Sequence, residues 1–228
     1  MRILANLMLV TTYLEFVSFL VGCYVYRNSW PVPYRWLFGL KGLKTTAEAG
    51  SMAWAVLTAT SNHWIYNLYF PLQCAGLLFI FYKCSVHPKV RRFDVWLMTA
   101  MPVVLCVFWW NWSFYELNLM ATVAFAFLLL LSACAAFIDQ LLGQGNTHFL
   151  RQPLFWLSSA ILFYSVGSII YYATWEYSKK MILYYPSAAV FLSTEYIFNI
   201  GVIACFICLY MQKDRLKINR SSPPSPPA

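Results

Sequence analysis

Several polar or charged residues lie inside long apolar stretches of the sequence, and six of them are candidates for chemistry. They are Glu15, Lys44, Glu48, Asn67, Glu195 and Asn199. Ionisable side chains are costly inside a membrane, so each of them is a candidate functional residue. Buried carboxylates can bind a ligand, exchange a proton or pair with a lysine. We therefore expect these six residues to line a site that binds a small ligand or responds to protonation.

The spacing of these residues predicts which of them share a helix face. Lys44 and Glu48 are four residues apart, as are Glu195 and Asn199, and side chains at this spacing are neighbours on a helix. We expect Lys44 to neutralise Glu48, whereas Glu15 and Glu195 have no obvious partner in their own helices. The alternative is a structural role, in hydrogen bonds between helices that contribute about 0.6–2 kcal/mol each. This alternative is favoured for the amides Asn67, Gln73, Asn118 and Asn199.

The sequence predicts no metal, no cofactor and no enzymatic activity. His63, His87 and His148 fall at loop or interface positions on both sides of the predicted membrane, so they cannot bind one metal ion together. The metalloprotease motif His-Glu-x-x-His is absent. The seven cysteines are odd in number and scattered through apolar runs. The pair Cys205-x-x-Cys208 has no second pair beside it, so these two are interpreted as small packing residues.

The composition indicates an integral membrane protein. Of 228 residues, 61% are hydrophobic and 11% are charged, and the mean hydropathy is +0.60. A soluble protein has about 25% charged residues. The net charge of +8 would suggest nucleic acid as a partner of a soluble chain. In a lipid bilayer the lysines and arginines instead orient the helices, so no nucleic-acid partner is expected.

Seven apolar runs are long enough to cross a bilayer, which takes about 20 residues. They are residues 3–25, 36–60, 64–82, 93–112, 117–138, 153–175 and 187–211. The second run contains Lys41, Lys44 and Glu48, so its hydropathy alone does not predict a transmembrane helix. The distribution of charge among the loops does predict one. If it spans, the basic residues collect on one side, and Arg2, Lys179 and Lys180 remain on the other. We expect an all-α bundle of seven transmembrane helices in the inner (cytoplasmic) membrane, with the N-terminus outside and the C-terminus in the cytoplasm.

The chain is predicted to form one membrane domain and one tail. Residues 1–212 form the seven-helix domain, and residues 213–228 form a cytoplasmic tail that is basic, then Pro/Ser-rich and disordered. Glu15 interrupts the first apolar run, which favours an uncleaved helix over a signal peptide. Aromatic residues are expected at both membrane interfaces. The outer belt includes Trp109, Trp110, Trp112 and Trp175, and the inner belt includes Trp30, Tyr34, Trp36 and Trp96.

A short internal similarity suggests a repeat. Residues 64–67 read Trp-Ile-Tyr-Asn and residues 196–199 read Tyr-Ile-Phe-Asn. Both segments begin runs directed from outside to inside. Helices one to three would then match helices five to seven, with helix four as a linker. That layout is a 3+1+3 parallel repeat, which occurs in some transporters.

The chain resembles a family of small, uncharacterised seven-helix membrane proteins of Bacteroidota. The resemblance is carried by Glu48 and by residues 26–27, 62–67, 152–156 and 195–199. That family is similar to the membrane-embedded input region of sensor histidine kinases. The resemblance implies a histidine kinase or a response-regulator system as partner.

A non-catalytic sensory or signalling module is the leading functional hypothesis. The cytoplasmic partner would contact the basic segment that contains Lys89, Arg91 and Arg92. The alternative is a small secondary transporter with a midplane polar site; a structural assembly factor, an unrecognised enzyme and a homo-oligomer stay open. A retinal protein is excluded because the last helix has no lysine before Lys213. Sugar transporters of the 3+1+3 type should carry Pro-Gln motifs, whereas this chain has Gln152-Pro153.

Overall fold

The computed structural model describes residues 2–28, 30–58, 60, 62–109, 116–142, 149–175 and 184–221. All regular structure in these residues is helical: there are seven long helices and one short 3₁₀ helix, Phe149–Arg151. In chain order the long helices are α1 (Arg2–Val25), α2 (Val32–Thr58), α3 (His63–Cys84), α4 (Pro88–Trp109), α5 (Leu119–Leu142), α6 (Pro153–Ala173) and α7 (Tyr184–Ser221).

Local sequence signals explain where several helices begin. Pro88 and Pro153 are the first residues of α4 and α6, where the missing N–H of proline costs nothing and its fixed φ suits the helix. Asn118 precedes α5, and its side-chain oxygen accepts a hydrogen bond from the N–H of Ala121 at 3.0 Å. This bond satisfies one of the free N–H groups at the start of the helix.

The expected apolar runs correspond to the seven helices, with one clear difference at the C-terminus. α7 continues to Ser221, so the domain boundary predicted at residue 212 falls inside a helix. The basic segment 213–220 contains neither glycine nor proline, so nothing in it stops the helix. The Pro/Ser-rich residues 222–228 lie outside the described residues.

By length and composition, four helical segments of the described chain can cross a membrane. They are His63–Cys84, Leu119–Leu142, Pro153–Ala173 and Ala188–Gln212. The described side chains of α1 add a shorter apolar segment, Val10–Val25. α2 and α4 are long enough but carry more charged residues. For α2 these charges point inward, since Lys41 and Lys44 are buried.

The helices form a closed ring in which neighbours in the chain are neighbours in space. Each helix packs against the next one, α1 packs against α7 to close the ring, and α3 also packs against α5. The core of the ring is densely apolar. Its largest fully buried side chains include Leu77, Ile80 and Phe81 of α3, with Val202 and Phe206 of α7.

The distribution of polarity is the reverse of that in a soluble protein. Large apolar side chains are exposed on the outer faces of the helices; for example, Val56, Trp96 and Leu141 are 84%, 74% and 66% exposed. Charged side chains such as Glu15, Lys44 and Asp94 are buried instead. Soluble monomers do not expose apolar surface on this scale. Together with the four candidate spans, this pattern supports a multi-pass membrane protein.

The predicted aromatic belts need one correction. Trp96 and Trp36 are exposed, as interface residues would be, but Trp30 is 4% exposed and stacks on Phe206 with ring centroids 5.5 Å apart. It is a core residue because the turn after α1 brings it against Phe206 within α7. Residues 110–115 and 176–183, which include Trp110 and Trp112 of the predicted outer belt, lie outside the described residues.

Candidate functional site

Two lysines of α2 form a buried ion-pair network with carboxylates of α1 and α7. Lys41 Nζ lies 2.6 Å from Glu15 Oε1. Lys44 Nζ lies 2.5 Å from Glu195 Oε2 and 3.4 Å from Glu15 Oε2. Glu15 and Lys41 are each 3% exposed and Lys44 is 4% exposed. These four residues, together with Asn199, are the ion cluster.

Asn199 attaches the ion cluster more firmly to α7. Its side-chain oxygen accepts hydrogen bonds from Lys41 Nζ and from Ser18 Oγ, the latter at 3.2 Å. Its amide nitrogen donates to the carbonyl oxygen of Glu195 at 3.0 Å. Lys44 also lies 5.0 Å from the centre of the Phe198 ring. Three helices therefore meet at two positive and two negative charges, which balance.

The pair predicted between Lys44 and Glu48 does not form. Lys44 turns toward α1 and α7, where two carboxylates compete for it, and no ion pair within the described residues includes Glu48. Glu48 Oε2 instead accepts a hydrogen bond from Tyr66 Oη at 3.0 Å. Ser51 Oγ donates to Tyr66 Oη at 3.1 Å, and Asn62 Nδ2 donates to Ser51 Oγ at 2.5 Å. This chain of bonds joins α2 to the start of α3.

Asn67 does not belong to the ion cluster, contrary to its place in the predicted site. Its amide nitrogen donates to the carbonyl oxygen of Glu116 at 2.7 Å, and its oxygen accepts from the N–H of Asn118 at 3.2 Å. Asn118 Nδ2 in turn donates to the carbonyl oxygen of Phe108. Asn67 therefore holds the connection between α4 and α5 in place. This is the structural role weighed for the amides, and it separates Asn67 from Asn199, its counterpart in the proposed repeat.

A cavity of about 390 Å³ leads to the ion cluster. Its lining includes Thr11 and Thr12 of α1, and Asn62 and His63 at the start of α3. The charged residues that line it are Glu15, Lys44, Glu48 and Glu195. The remaining lining is strongly aromatic and includes Tyr66, Tyr69, Phe70, Tyr164, Tyr171, Tyr172, Trp175 and Phe191. The volume lies within the range of about 300–1,000 Å³ that is usual for small-molecule sites.

The basic residues predicted to contact a partner lie at the other end of the bundle. Lys89, Arg91 and Arg92 are exposed on the first turns of α4 rather than in a loop. Arg91 is held by Tyr82, whose ring centre lies 4.7 Å from its guanidinium carbon.

Two buried aspartates anchor the turn that precedes these residues. Asp139 accepts hydrogen bonds from the N–H groups of Val86 and His87 at 2.8 and 2.7 Å. Asp94 accepts from Ser85 Oγ and Ser132 Oγ at 2.7 and 2.8 Å. The basic surface is therefore fixed to α5.

Sequence reasoning missed Lys41, the aromatic lining and these two aspartates. Lys41 precedes Lys44 by three residues, a spacing that places both on one helix face, so its pairing could have been proposed. Trp175 was interpreted as an interface residue, but it lines the cavity. Within the described residues, no group of three or more His, Cys, Asp or Glu side chains could hold a metal ion.

Comparisons with models of protein families, with curated proteins and with solved structures found no match to this chain. Its function is therefore inferred from the geometry and chemistry of its residues.

Proposed function

We propose that this protein is a non-catalytic sensory module with seven transmembrane helices in the cytoplasmic membrane. Its N-terminus lies outside and its C-terminus in the cytoplasm. A small ligand or a proton enters the cavity, changes the balance of charge in the ion cluster, and thereby alters the packing of α7 against α1 and α2. The change reaches a cytoplasmic partner through the basic residues Lys89, Arg91 and Arg92 and the end of α7.

The observation that carries this proposal is the continuity of α7. One helix holds Glu195 and Asn199 in the ion cluster and runs on without interruption to Ser221. From Glu195 to Gln212 the helix covers about 25 Å at 1.5 Å per residue. A shift of α7 at the cluster is therefore transmitted along a rigid element to the opposite end of the bundle.

The ion cluster is suited to a switch because its charges balance and each is paired with a charge from another helix. Protonating Glu195, or drawing it toward a ligand, would leave Lys44 with Glu15 alone. The ion cluster would then hold one buried positive charge in excess, which is strongly destabilising, so the helices would repack to compensate it. The partner that we propose is a histidine kinase or response-regulator protein, as the resemblance of the sequence implies.

A photo-crosslinking experiment tests the partner. A crosslinking amino acid at Lys89 should capture a protein with a histidine-kinase or response-regulator domain in intact cells. The same amino acid at Val107, exposed at the far end of α4, is the control. Capture that weakens with Glu195→Gln supports the proposal. Equal capture from both positions, or no such protein from Lys89, contradicts it.

A small secondary transporter is the second candidate, because the cavity ends at a polar cluster halfway along α1 and α2. Transporter sites are commonly built from broken helices, whereas α1, α2, α3, α6 and α7 are each continuous in the structure. Purified protein in liposomes distinguishes the two. Solute flux that is lost with Glu195→Gln or Glu48→Gln would establish the transporter and overturn the sensory proposal.

A further inference from the structure

Glu48 is the cavity carboxylate that the lysines do not neutralise. Lys41 and Lys44 are occupied by Glu15 and Glu195 at 2.5–3.4 Å. Within the described residues, Glu48 has no cation within 4 Å and accepts one hydrogen bond, from Tyr66. In the ion cluster and the described cavity lining taken together, the carboxylates Glu15, Glu48 and Glu195 outnumber the lysines Lys41 and Lys44 by one. A ligand with one positive charge would complete the balance.

A continuous run of aromatic rings surrounds the cavity, and we call it the aromatic wall. Successive ring centroids along it are 5.8, 6.1, 5.5, 4.7 and 5.0 Å apart. In that order the rings belong to Tyr66, Phe70, Tyr172, Phe191, Tyr171 and Trp175. The faces of such rings attract organic cations, and the attraction grows where water is excluded. The wall would not favour a carboxylate or a phosphate.

We propose that the cavity binds a small organic monocation, with its charged ammonium group between Glu48 and the ring faces of the aromatic wall. This ligand class rests on the proposed sensory function, in which the cavity is the input site. The volume of about 390 Å³ accommodates a small amine. Lys44 does not repel such a ligand strongly because two carboxylates hold it at the bottom of the cavity.

Three ligands of nearly equal shape test the class. Choline carries a positive charge, 3,3-dimethyl-1-butanol replaces its nitrogen by carbon, and 3,3-dimethylbutanoate is an anion. Isothermal titration calorimetry on the full chain in nanodiscs measures their affinities. We expect choline to bind at least about tenfold more tightly than the neutral alcohol.

Matched variants test which residues cause the preference for choline over the neutral alcohol. Glu48→Gln should bring choline down to the affinity of the alcohol, and Trp175→Leu should weaken choline more than the alcohol. Glu116→Gln makes the same change at an exposed carboxylate that does not line the cavity, and it should leave the preference intact. Measurable binding of the alcohol by each variant shows that the cavity is folded.

The outcomes separate this inference from the proposed function. Equal binding of choline and the alcohol, or no choline binding at about 10 mM, would overturn the organic-cation class. Preference for 3,3-dimethylbutanoate would also overturn it and would assign Lys44 as the ligand contact. Either result leaves crosslinking from Lys89 to a kinase unaffected, and failure of that crosslink leaves choline binding unaffected.

Discussion

At the scale of single residues, the buried lysines of α2 determine how the charges are arranged. Sequence reasoning located most of the charged residues correctly: Glu15, Lys44 and Glu195 do meet. It assigned the wrong partner to Lys44, because a single helix shows its own pairs but not the carboxylates that other helices bring. Asn67 was misplaced for the same reason, since its partners are backbone groups at the start of α5.

Lys44→Met tests the ion cluster directly. The substitution keeps the length of the side chain but leaves Glu15 and Glu195 short of one positive charge. Removing one partner of a buried pair costs about 3–5 kcal/mol. We expect a loss of unfolding free energy of that order, measured by denaturant titration in detergent. The exposed Arg92→Met should change it by less than about 1 kcal/mol.

A double variant shows whether charge imbalance is the cause. Lys44→Met combined with Glu195→Gln leaves the pair of Lys41 and Glu15 balanced, so part of the lost stability should return. If the two changes are simply additive, the ion cluster does not act as one unit.

At the scale of helices, the contact of α6 with α7 depends on small residues. A methyl group added at Gly201 would lie 2.4 Å from Ala160 Cβ and 3.1 Å from the carbonyl oxygen of Trp156. Small side chains let membrane helices approach closely. The sequence predicted the existence of both helices, since each is a long apolar run. It could not show which faces meet, because apolar residues occur all round them.

Gly201→Ala tests this contact, with Gly39→Ala as its control. The first substitution forces α6 and α7 apart, and overpacking of this kind costs about 1–3 kcal/mol. Gly39 has nothing within 4 Å of an added methyl group, so alanine there should be neutral or should stabilise α2 by about 0.5–1 kcal/mol. Thermal unfolding of both variants measures the two effects on stability. Equal changes in stability would contradict the close contact between α6 and α7.

At the scale of the whole molecule, polarity is inverted: charged side chains such as Glu15, Lys44 and Asp94 are buried, and large apolar side chains are exposed on the outer faces of the helices. Composition and loop charge sufficed to predict an all-helical chain with seven helices, and α2 faces the interior as its lysines suggested. The cavity and the aromatic wall could not be predicted. Both are formed by side chains from several helices, which come together only when α1 packs against α7 and closes the ring of helices.

The proposed orientation is tested by cysteine labelling in a background without the seven native cysteines. Thr60→Cys, between α2 and α3, should react with a membrane-impermeant maleimide in intact cells. Lys89→Cys should react only after the membrane is permeabilised. The reverse labelling pattern would overturn the topology, and labelling of both positions from outside would exclude α3 as a span.

The most direct test of the proposed sensory function is a distance between the start of α4 and the segment of α7 around Gln212. Spin labels at Lys89 and Gln212, both exposed, report it by double electron–electron resonance in nanodiscs. Glu195→Gln imitates the loss of one charge in the ion cluster, and Glu116→Gln is the control. We expect Glu195→Gln to shift the mean distance by about 1–2 Å, which is the scale of helix shifts in switching proteins. We expect no shift in Glu116→Gln. Identical distance distributions in the wild type and both variants would show that the ion cluster does not control the position of α7 at Gln212.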